Sequence, residues 1–581
     1  MDPKAFKSSS LGNEHLPLED IENHQLKQLE EDKDQQEGRV ELQLENNDNA
    51  ESNGNVYNLD ENIMPGSSQD PRLGKEEGNH QAEWTKALSE IRMKAFTGES
   101  GPCHSLPGNA TVLDFFHLLW SEQLFEMIVL ETNRSAEQRA AVLGKMDPLW
   151  SPVSVPELKA YFSIVVMMGI KSLPRIWCYW SGNKALRCEW VSSAMSHTRF
   201  SKISQYLQAS NGSCMPERSD PTYDPIYKVR AIVDKLQTNF SQYYCPRREL
   251  SVDEGMIPFK GRLFFKQHMP NKPAKWGIKV WELCEAETGY CLSFDIYTGR
   301  RRDGGKEHGL GYKVVMHLSK PYWHKGHHLY FDRYFSSPHL LEDLESRCGT
   351  YGCSTVSLRR TGLPLAARNS NLQARGDVEF FQKRNLVLTL WRDRRLVSML
   401  STNADPRVDI GGNGTTRPLS VLQYNQFMGG VDRSDQYRSY YTVGRTSKKW
   451  WCYVLWFLVN LSIVNAWLLF RESCHDYTSR KNYDHFQFRV DLAEQLRAGW
   501  TKRGQQIGKK ARLAVSYVSA ENMAAHCLVK MARGKKACRL CSRRGLKTKS
   551  GNQVQSSFGC GVCDVHLCRF GCFRDFHHLR S

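Results

Sequence analysis

The chain has 581 residues, 40% of them hydrophobic, and a formal net charge of +17, room for about two to four domains and at least one sizeable core. No apolar stretch follows Met1, so no secretory signal peptide is expected, and with that expectation the 18 cysteines point to reduced thiols or metal ligands and not to a disulfide framework. The first 80 residues hold 7 Lys and Arg against 19 Asp and Glu, a net −12, so the other 501 carry +29; a basic body suggests a polyanionic partner, most often nucleic acid, with solubility alone as the plainer alternative.

Residues 1–106 read as a disordered acidic tail and linker. The first 80 are rich in Glu, Asn, Gln and Ser and cannot bury enough apolar surface to offset ordering; a single helix is expected at 83–96. From 107 to 248 the pattern is helical. Leu113, Phe116, Leu119, Leu124 and Ile128 recur at three- to five-residue spacing, with Asn109 or Thr111 as cap. A second helix covers 154–169, with Pro156 near its start, and further helical patterns cover 200–208 and 226–243.

At 249 the texture turns to β-branched and aromatic runs. Residues 250–257, 276–284 and 291–297 read as three antiparallel strands, the last two joined at Thr288-Gly289. A helix at 309–318 and a fourth strand at 329–332 follow, then a helix at 337–347 and a short strand at 355–356. Strand-strand-strand-helix-strand, with an aspartate on the first and fourth strands, is an RNase H-like α/β pattern. That core spans 249–358 and resumes at 421–475, split by an Arg-rich irregular insertion at 359–420 with strand fragments at 386–391 and 395–401. Residues 450–470 form a 21-residue apolar run of membrane-spanning length. Asn460, Ser462 and Asn465 interrupt it, and a helix apolar all round equally suits the centre of a large core; no membrane partner is expected. A basic helical region at 476–530, its helical pattern running over 488–531, precedes a Cys/His-rich end at 531–581.

Three aspartates stand out: Asp253 after a strand-like run, Asp332 closing His328-Leu-Tyr-Phe-Asp332, and Asp432 opening a helical stretch. Carboxylates at strand ends and on a neighbouring helix suit hard cations such as Mg²⁺ or Mn²⁺, and two such ions about 4 Å apart can clamp the attacking and leaving oxygens of a phosphodiester. Asp435, three residues on, shares a helical face with Asp432; its alternative is an ion pair with Arg433, Arg438 or a lysine. Glu254 points to the other face of its strand and reads as structural. Lys272, Lys275 and Lys279 with Trp276 can contact phosphates and stack bases, or form a solvated edge around a core tryptophan. Arg300, Arg301, Arg302 and Lys306 read as a solvated basic loop.

Four long words occur in order: Ser251-Val-Asp-Glu-Gly-Met-Ile-Pro-Phe-Lys-Gly-Arg262, Met269-Pro-Asn-Lys-Pro-Ala-Lys-Trp-Gly-Ile-Lys279, Phe331-Asp-Arg-Tyr-Phe-Ser-Ser-Pro-His-Leu340 and Tyr424-Asn-Gln-Phe-Met-Gly-Gly-Val-Asp-Arg-Ser-Asp-Gln436. Together they resemble the piggyBac family of cut-and-paste DNA transposases, from about residue 111 to the C-terminus. The resemblance implies a helical dimerisation and DNA-binding region at 107–248 and an insertion before the last acidic residue. It also implies an acidic residue at the place of Asp435, and nicking, hairpin formation and joining at TTAA on double-stranded transposon ends. A homodimer and a nuclear location are expected with it.

Cys538-Arg-Leu-Cys541 is separated by 18 residues from Cys560-Gly-Val-Cys563, and Cys568, Cys572, His577 and His578 follow. Two CxxC pairs with later Cys and His form a strong zinc signal, and so short a segment folds on its metal. The resemblance implies a cross-braced finger with two structural Zn²⁺ and eight ligands: Cys538, Cys541, Cys560, Cys563, Cys568, Cys572, His577 and an eighth that is His526, His566 or His578. Three functions fit: a DNA transposase, a host-retained DNA-binding protein that no longer moves DNA, or a non-catalytic chromatin adaptor.

Overall fold

In this computed structural model the residues described are 83–270, 272, 274–299, 309–410, 416–473, 483–501, 528–531, 534–548, 550–560, 563, 565–569 and 571–578. The acidic tail, the basic runs at 300–308 and 502–527, and His526 with them, lie outside these. The chain divides into two units, Met1–Ala498 and Gly499–Ser581.

The first unit is built on one sheet. Its strands are β1 (Glu249–Pro258), β2 (Trp276–Glu285), β3 (Cys291–Ile296), β4 (His328–Phe331), β5 (Tyr351–Thr355), β6 (Val378–Lys383), β7 (Leu386–Arg392) and β8 (Leu396–Ser401), with Gln267–His268 as a short ninth beside the start of β2. In space they run β3-β2-β1-β4-β5-β8-β7-β6. β1, β4 and β5 are mutually parallel, and β2 runs against β1 and β3. The central strands are covered on both faces, so they read as continuous apolar runs, as in buried parallel sheets: all four residues of β4 are buried.

The helices of eight or more residues among the described residues are α1 (Val112–Leu119), α2 (Glu122–Leu143), α3 (Val155–Ile170), α4 (His197–Tyr206), α5 (Arg230–Gln242), α6 (Leu310–Ser319), α7 (Pro338–Ser346), α8 (Leu419–Phe427), α9 (Gly430–Tyr440), α10 (Trp450–Glu472) and α11 (His485–Arg497). Thr111 caps α1: its hydroxyl accepts from the Asp114 N–H, and the Asp114 carboxylate accepts from the Thr111 N–H at 2.7 Å, a reciprocal box worth about 1 kcal/mol. α10 is the apolar run. It lies inside the unit, with Trp451, Leu455, Leu458, Ile463 and Leu468 buried, and its polar residues are satisfied there. Asn465 both donates to the Cys291 carbonyl (2.8 Å) and accepts from the Cys291 N–H (3.0 Å), Asn460 donates to the Arg438 carbonyl, and Ser462 bonds back to Leu458.

Three expectations change. Residues 83–96 are not helical; they run extended along the far edge of the sheet. Thr85 pairs with Gln382 of β6, the Trp84 indole donates to the Gly362 carbonyl, and Lys94 N–H donates to the Tyr351 hydroxyl. An edge strand offers unpaired peptide groups, and pairing with them outweighs the local helical pattern. In the 359–420 insertion the strand fragments expected at 386–391 and 395–401 are β7 and β8, but with β6 they continue the central sheet through pairing of β8 with β5 and are not isolated pieces. The helix expected over 488–531 ends at Arg497, where Ala498 turns left-handed (φ 44°), and Leu528–Lys530 is a strand.

The second unit has a three-stranded antiparallel sheet of Leu528–Lys530, Phe558–Cys560 and Val565–His566. A second pair joins Lys536–Ala537 to Gln555–Ser556, and two short helices, Arg539–Arg543 and Cys572–His578, complete it. Among the described residues its buried core is small and half of it is cysteine: Cys538, Cys541, Cys560, Leu540, Leu567 and Phe576.

Candidate active site

Asp253 sits in the middle of β1, Asp332 one residue past β4, and Asp432 in the first turn of α9. β1 and β4 are parallel neighbours, and α9 packs on β1 and β2. The close approach of α9 depends on Gly430: a Cβ there would meet the Ser251 hydroxyl, the Glu285 carbonyl at 2.8 Å and the Ala286 Cα at 3.0 Å. Arg433 ties the same turn down by hydrogen bonds to the carbonyls of Ala286 and Glu287.

The three aspartates share one electrostatic hollow. Burial raises the Asp253 carboxyl well above its ordinary range; Glu254, Asp432 and Asp332 push it further, and Lys272 opposes them. Asp332 is pushed up to about 6 by burial and then by Glu254, against the N–H groups of Tyr334 and Phe335 and the charge of Lys279. The Tyr334 N–H donates to Asp332 Oδ1 at 2.9 Å and fixes that carboxylate at the strand end. Buried carboxylates acted on by one another's charge favour a cation among them.

Lys272 reaches into this hollow. Its Nζ donates to the Glu254 carbonyl at 3.0 Å. Burial lowers its proton affinity, but Asp253, Glu254, Asp432 and Glu282 outweigh that and raise it. Lys279 lies 3.6 Å from Glu254 Oε2 and 3.8 Å from the Trp281 ring centroid; burial lowers its affinity despite Glu254, Asp253 and Asp332. Lys275 is exposed. Trp276 is 47% exposed, so the core-tryptophan alternative does not hold: its ring lies 4.4 Å from that of His268, with Lys266 Nζ 4.9 Å above it.

Asp435 takes the ion-pair alternative, bonding Arg438. Sequence reasoning set Glu254 aside as structural. It does face Lys279, yet its charge is the first after burial to act on both Asp253 and Asp332; its place next to Asp253 was the available signal. Glu282 was missed, and Arg438 was named only as a partner for Asp435. They form a buried bidentate pair, both bonds 3.0 Å, and Glu282 stands opposite Asp253 in the sheet register. Nothing in the local sequence marks that pairing, because the partners are 156 residues apart.

In the second unit the sulfurs of Cys538, Cys541, Cys568 and Cys572 all lie within 4.8 Å of one another; Cys541 is 3.8 Å from Cys568 and 3.5 Å from Cys572. This joins the first CxxC to the last two cysteines and skips the pair between. Four thiols so close suit a tetrahedral Zn²⁺. Burial raises the Cys538 thiol, but the N–H groups of Cys541 and Cys568 bring it down to about 7. Cys560 and Cys563 form a separate turn, in which the Cys563 N–H donates to the Cys560 sulfur at 3.4 Å. His566 is buried, with Nδ1 at 2.8 Å from the Ser556 carbonyl. The side chains of His577 and His578, like His526, lie outside the described residues.

Comparison with known proteins gives one answer. Residues 111–467 match a family model described as Transposase IS4. Human PiggyBac transposable element-derived protein 3 is 27% identical over 427 residues, 70% of this chain and 68% of that protein. Human PiggyBac transposable element-derived protein 5 is 26% identical over 447 residues, 72% of this chain and 82% of that protein. A cryo-EM structure of the piggyBac transposase synaptic complex with hairpin DNA has the same mixed α/β fold, with a TM-score of 0.64 at 22% identity over 82% of this chain and all of that one. With the match spanning the helical region, the sheet and the helices that bring Asp432 to it, the chain belongs to the piggyBac-type transposase family.

Proposed function

We propose that this chain is a cut-and-paste DNA transposase of the piggyBac type, acting on double-stranded transposon ends through Asp253, Asp332 and Asp432 and joining them at TTAA. The observation that carries this reading is the convergence of three carboxylates from β1, the end of β4 and α9, with Asp332 and Asp432 both acting on the buried Asp253. The strand order β3-β2-β1-β4-β5, with β2 running against its neighbours, supports an RNase H-like core. The donor set is all oxygen and fits hard divalent cations; bound there, two Mg²⁺ or Mn²⁺ would activate a water for in-line attack and stabilise the departing 3′ oxygen. The chain's own part is to fix the carboxylates on rigid elements and to offer Lys272 and Lys279 to phosphate, and Lys275 and Trp276 to a neighbouring base.

Two structural Zn²⁺ belong to the same proposal. Cys538, Cys541, Cys568 and Cys572 would hold one; Cys560, Cys563, His577 and one of His526, His566 or His578 would hold the other. Exposed Lys535, Lys536, Arg543, Arg544 and Lys547 around them favour DNA over a basic histone tail. Pairing of two transposon ends calls for a homodimer, and the substrate for a nuclear location.

The test is cleavage of labelled DNA carrying piggyBac-type terminal repeats flanked by TTAA, with Mg²⁺ or Mn²⁺, by the full chain and by Asp253→Ala and Asp432→Ala. Nicks or hairpins at the repeat boundary, lost in both variants, are expected. Specific binding without cleavage supports the second reading, a retained DNA-binding protein. Two observations favour that reading: the human relatives are named as transposable element-derived, and Asp435 is engaged by Arg438.

A further inference from the structure

A cavity of about 350 Å³ opens between the 215–228 segment, the turn after β1 and the first residue of α10. Tyr223, Phe264 and Trp450 form aromatic walls, and Arg218, Lys228 and Arg262 bring three positive charges. No carboxylate stands among its described lining residues. The Arg218 guanidinium stacks 4.3 Å over the Phe264 ring centroid, yet Phe264 remains 55% exposed. Its neighbour Phe265 is buried and meets Trp450 edge-on. The sequence thus turns one phenylalanine inward to hold the turn and leaves the next one facing solvent beside a cation.

An aromatic plane that carries a phosphate satisfies both halves of this lining. Stacking on an exposed ring takes any base, and the cations neutralise the backbone. A duplex is too wide for a cavity of this size, whereas the volume falls in the range of small-ligand sites. The strand that carries Asp253 leads into the turn that supplies Arg262, Leu263, Phe264 and Phe265 to the cavity, so one stretch of chain serves both the aspartates and this lining.

We propose that this cavity receives one unpaired nucleotide of the bound DNA, its base on Phe264 and its phosphate held by Arg218, Lys228 and Arg262. The proposal rests on the DNA-transposase reading above and adds a contact that neither the aspartates nor the Trp276 edge supplies. It gives the protein a preference for DNA whose strands are locally open over duplex DNA that is paired throughout.

The test compares the full chain's affinity for a blunt duplex with that for the same duplex bearing a short single-stranded overhang, which carries 2-aminopurine. The overhang is expected to tighten binding about ten-fold and the bound 2-aminopurine to be shielded from acrylamide. In Phe264→Ala the ratio of the two affinities should fall to about one and the shielding vanish, while Phe264→Trp keeps both. Because Phe264 is exposed and the readout is a ratio within each variant, altered folding does not imitate the result. A ratio that survives Phe264→Ala, or a wild-type protein that holds both DNAs equally, overturns the proposal and leaves the transposase reading standing. Failure of the wild-type chain to bind either DNA overturns both.

Discussion

Arg438 on α9 and Glu282 on β2 meet through two hydrogen bonds of 3.0 Å, with Glu282 wholly enclosed and Arg438 only 6% exposed. Glu282 stands opposite Asp253 in the sheet, and Arg438 follows Asp432 on the same helix. The pair therefore sets the spacing between the strand that carries one aspartate and the helix that carries another. Gly255 makes room for it, since a Cβ there would collide with the Glu282 carboxylate.

Arg438→Ala leaves Glu282 charged and unpaired in the core, which typically costs about 3–5 kcal/mol. Urea denaturation should show a loss of that order. Arg438→Lys should recover little, because a single ammonium cannot replace the two-pronged contact. The double change Arg438→Met with Glu282→Leu should be far milder than Arg438→Ala, since it removes both charges together.

Gly430→Ala tests the approach of α9. The added methyl would press on the Glu285 carbonyl, the Ala286 Cα and the Ser251 hydroxyl. Backbone does not yield cheaply, and overpacking of this kind costs about 1–3 kcal/mol. DNA cleavage should fall at least ten-fold while the protein stays folded by circular dichroism, because Asp432 is carried away from Asp253.

The parts of this fold that were legible in the sequence are those set by short-range pattern. The strands around Asp253 and Asp332, the Thr111 cap and the buried character of α10 all follow from local periodicity, capping chemistry and the three polar interruptions of the apolar run. The parts that were not legible depend on partners far away in the chain. Residues 83–96 have a helical pattern but lie along β6, nearly 300 residues on, where Ser89 N–H donates to the Gln382 side chain. The Arg-rich insertion showed two of its strands, at 386–391 and 395–401, whereas β6 carries Glu379 and Lys383 within its run, and the pairing of β8 with β5 that joins all three to the central sheet leaves no local mark. At the site, the aspartates were visible as words, whereas the ion pair that spaces them and the charge of Glu254 acting on them were not.

Asp332 predicts an inverted pH response. Its carboxyl is raised from 3.8 to about 6 in the folded chain, so between those values the folded state binds more protons than the unfolded one, and stability falls as pH rises through this window. In EDTA, the thermal midpoint of wild type minus that of Asp332→Asn should decline from about pH 4 to about pH 6. Mg²⁺ at neutral pH should restore the wild type and leave Asp332→Asn little changed. A difference that stays flat across the window would show that burial and Glu254 do not raise the Asp332 carboxyl in the folded chain.

Asn465 separates a core helix from a membrane span. Its amide satisfies both the N–H and the carbonyl of Cys291 at the start of β3. Asn465→Leu makes α10 more apolar but orphans two buried peptide groups, a cost of about 2 kcal/mol or more. A spanning helix would gain from the change. Chemical denaturation should instead show the loss, with the chain still partitioning into the aqueous phase.

The zinc ligands can be sorted by additivity. The sulfurs of Cys541 and Cys572 belong to one four-cysteine cluster, while Cys563 lies in the other CxxC turn. Elemental analysis of the full chain should find about two zinc ions, and Cys541→Ser should leave about one. Cys541→Ser with Cys572→Ser should still leave about one, because both changes strike the same ion, whereas Cys541→Ser with Cys563→Ser should leave almost none. Limited proteolysis should follow the metal content, since a unit with so few buried apolar side chains draws its folding energy from metal binding. If Cys541→Ser and Cys572→Ser were instead additive, each would serve a different ion, and the first CxxC would have to be paired with Cys560 and Cys563.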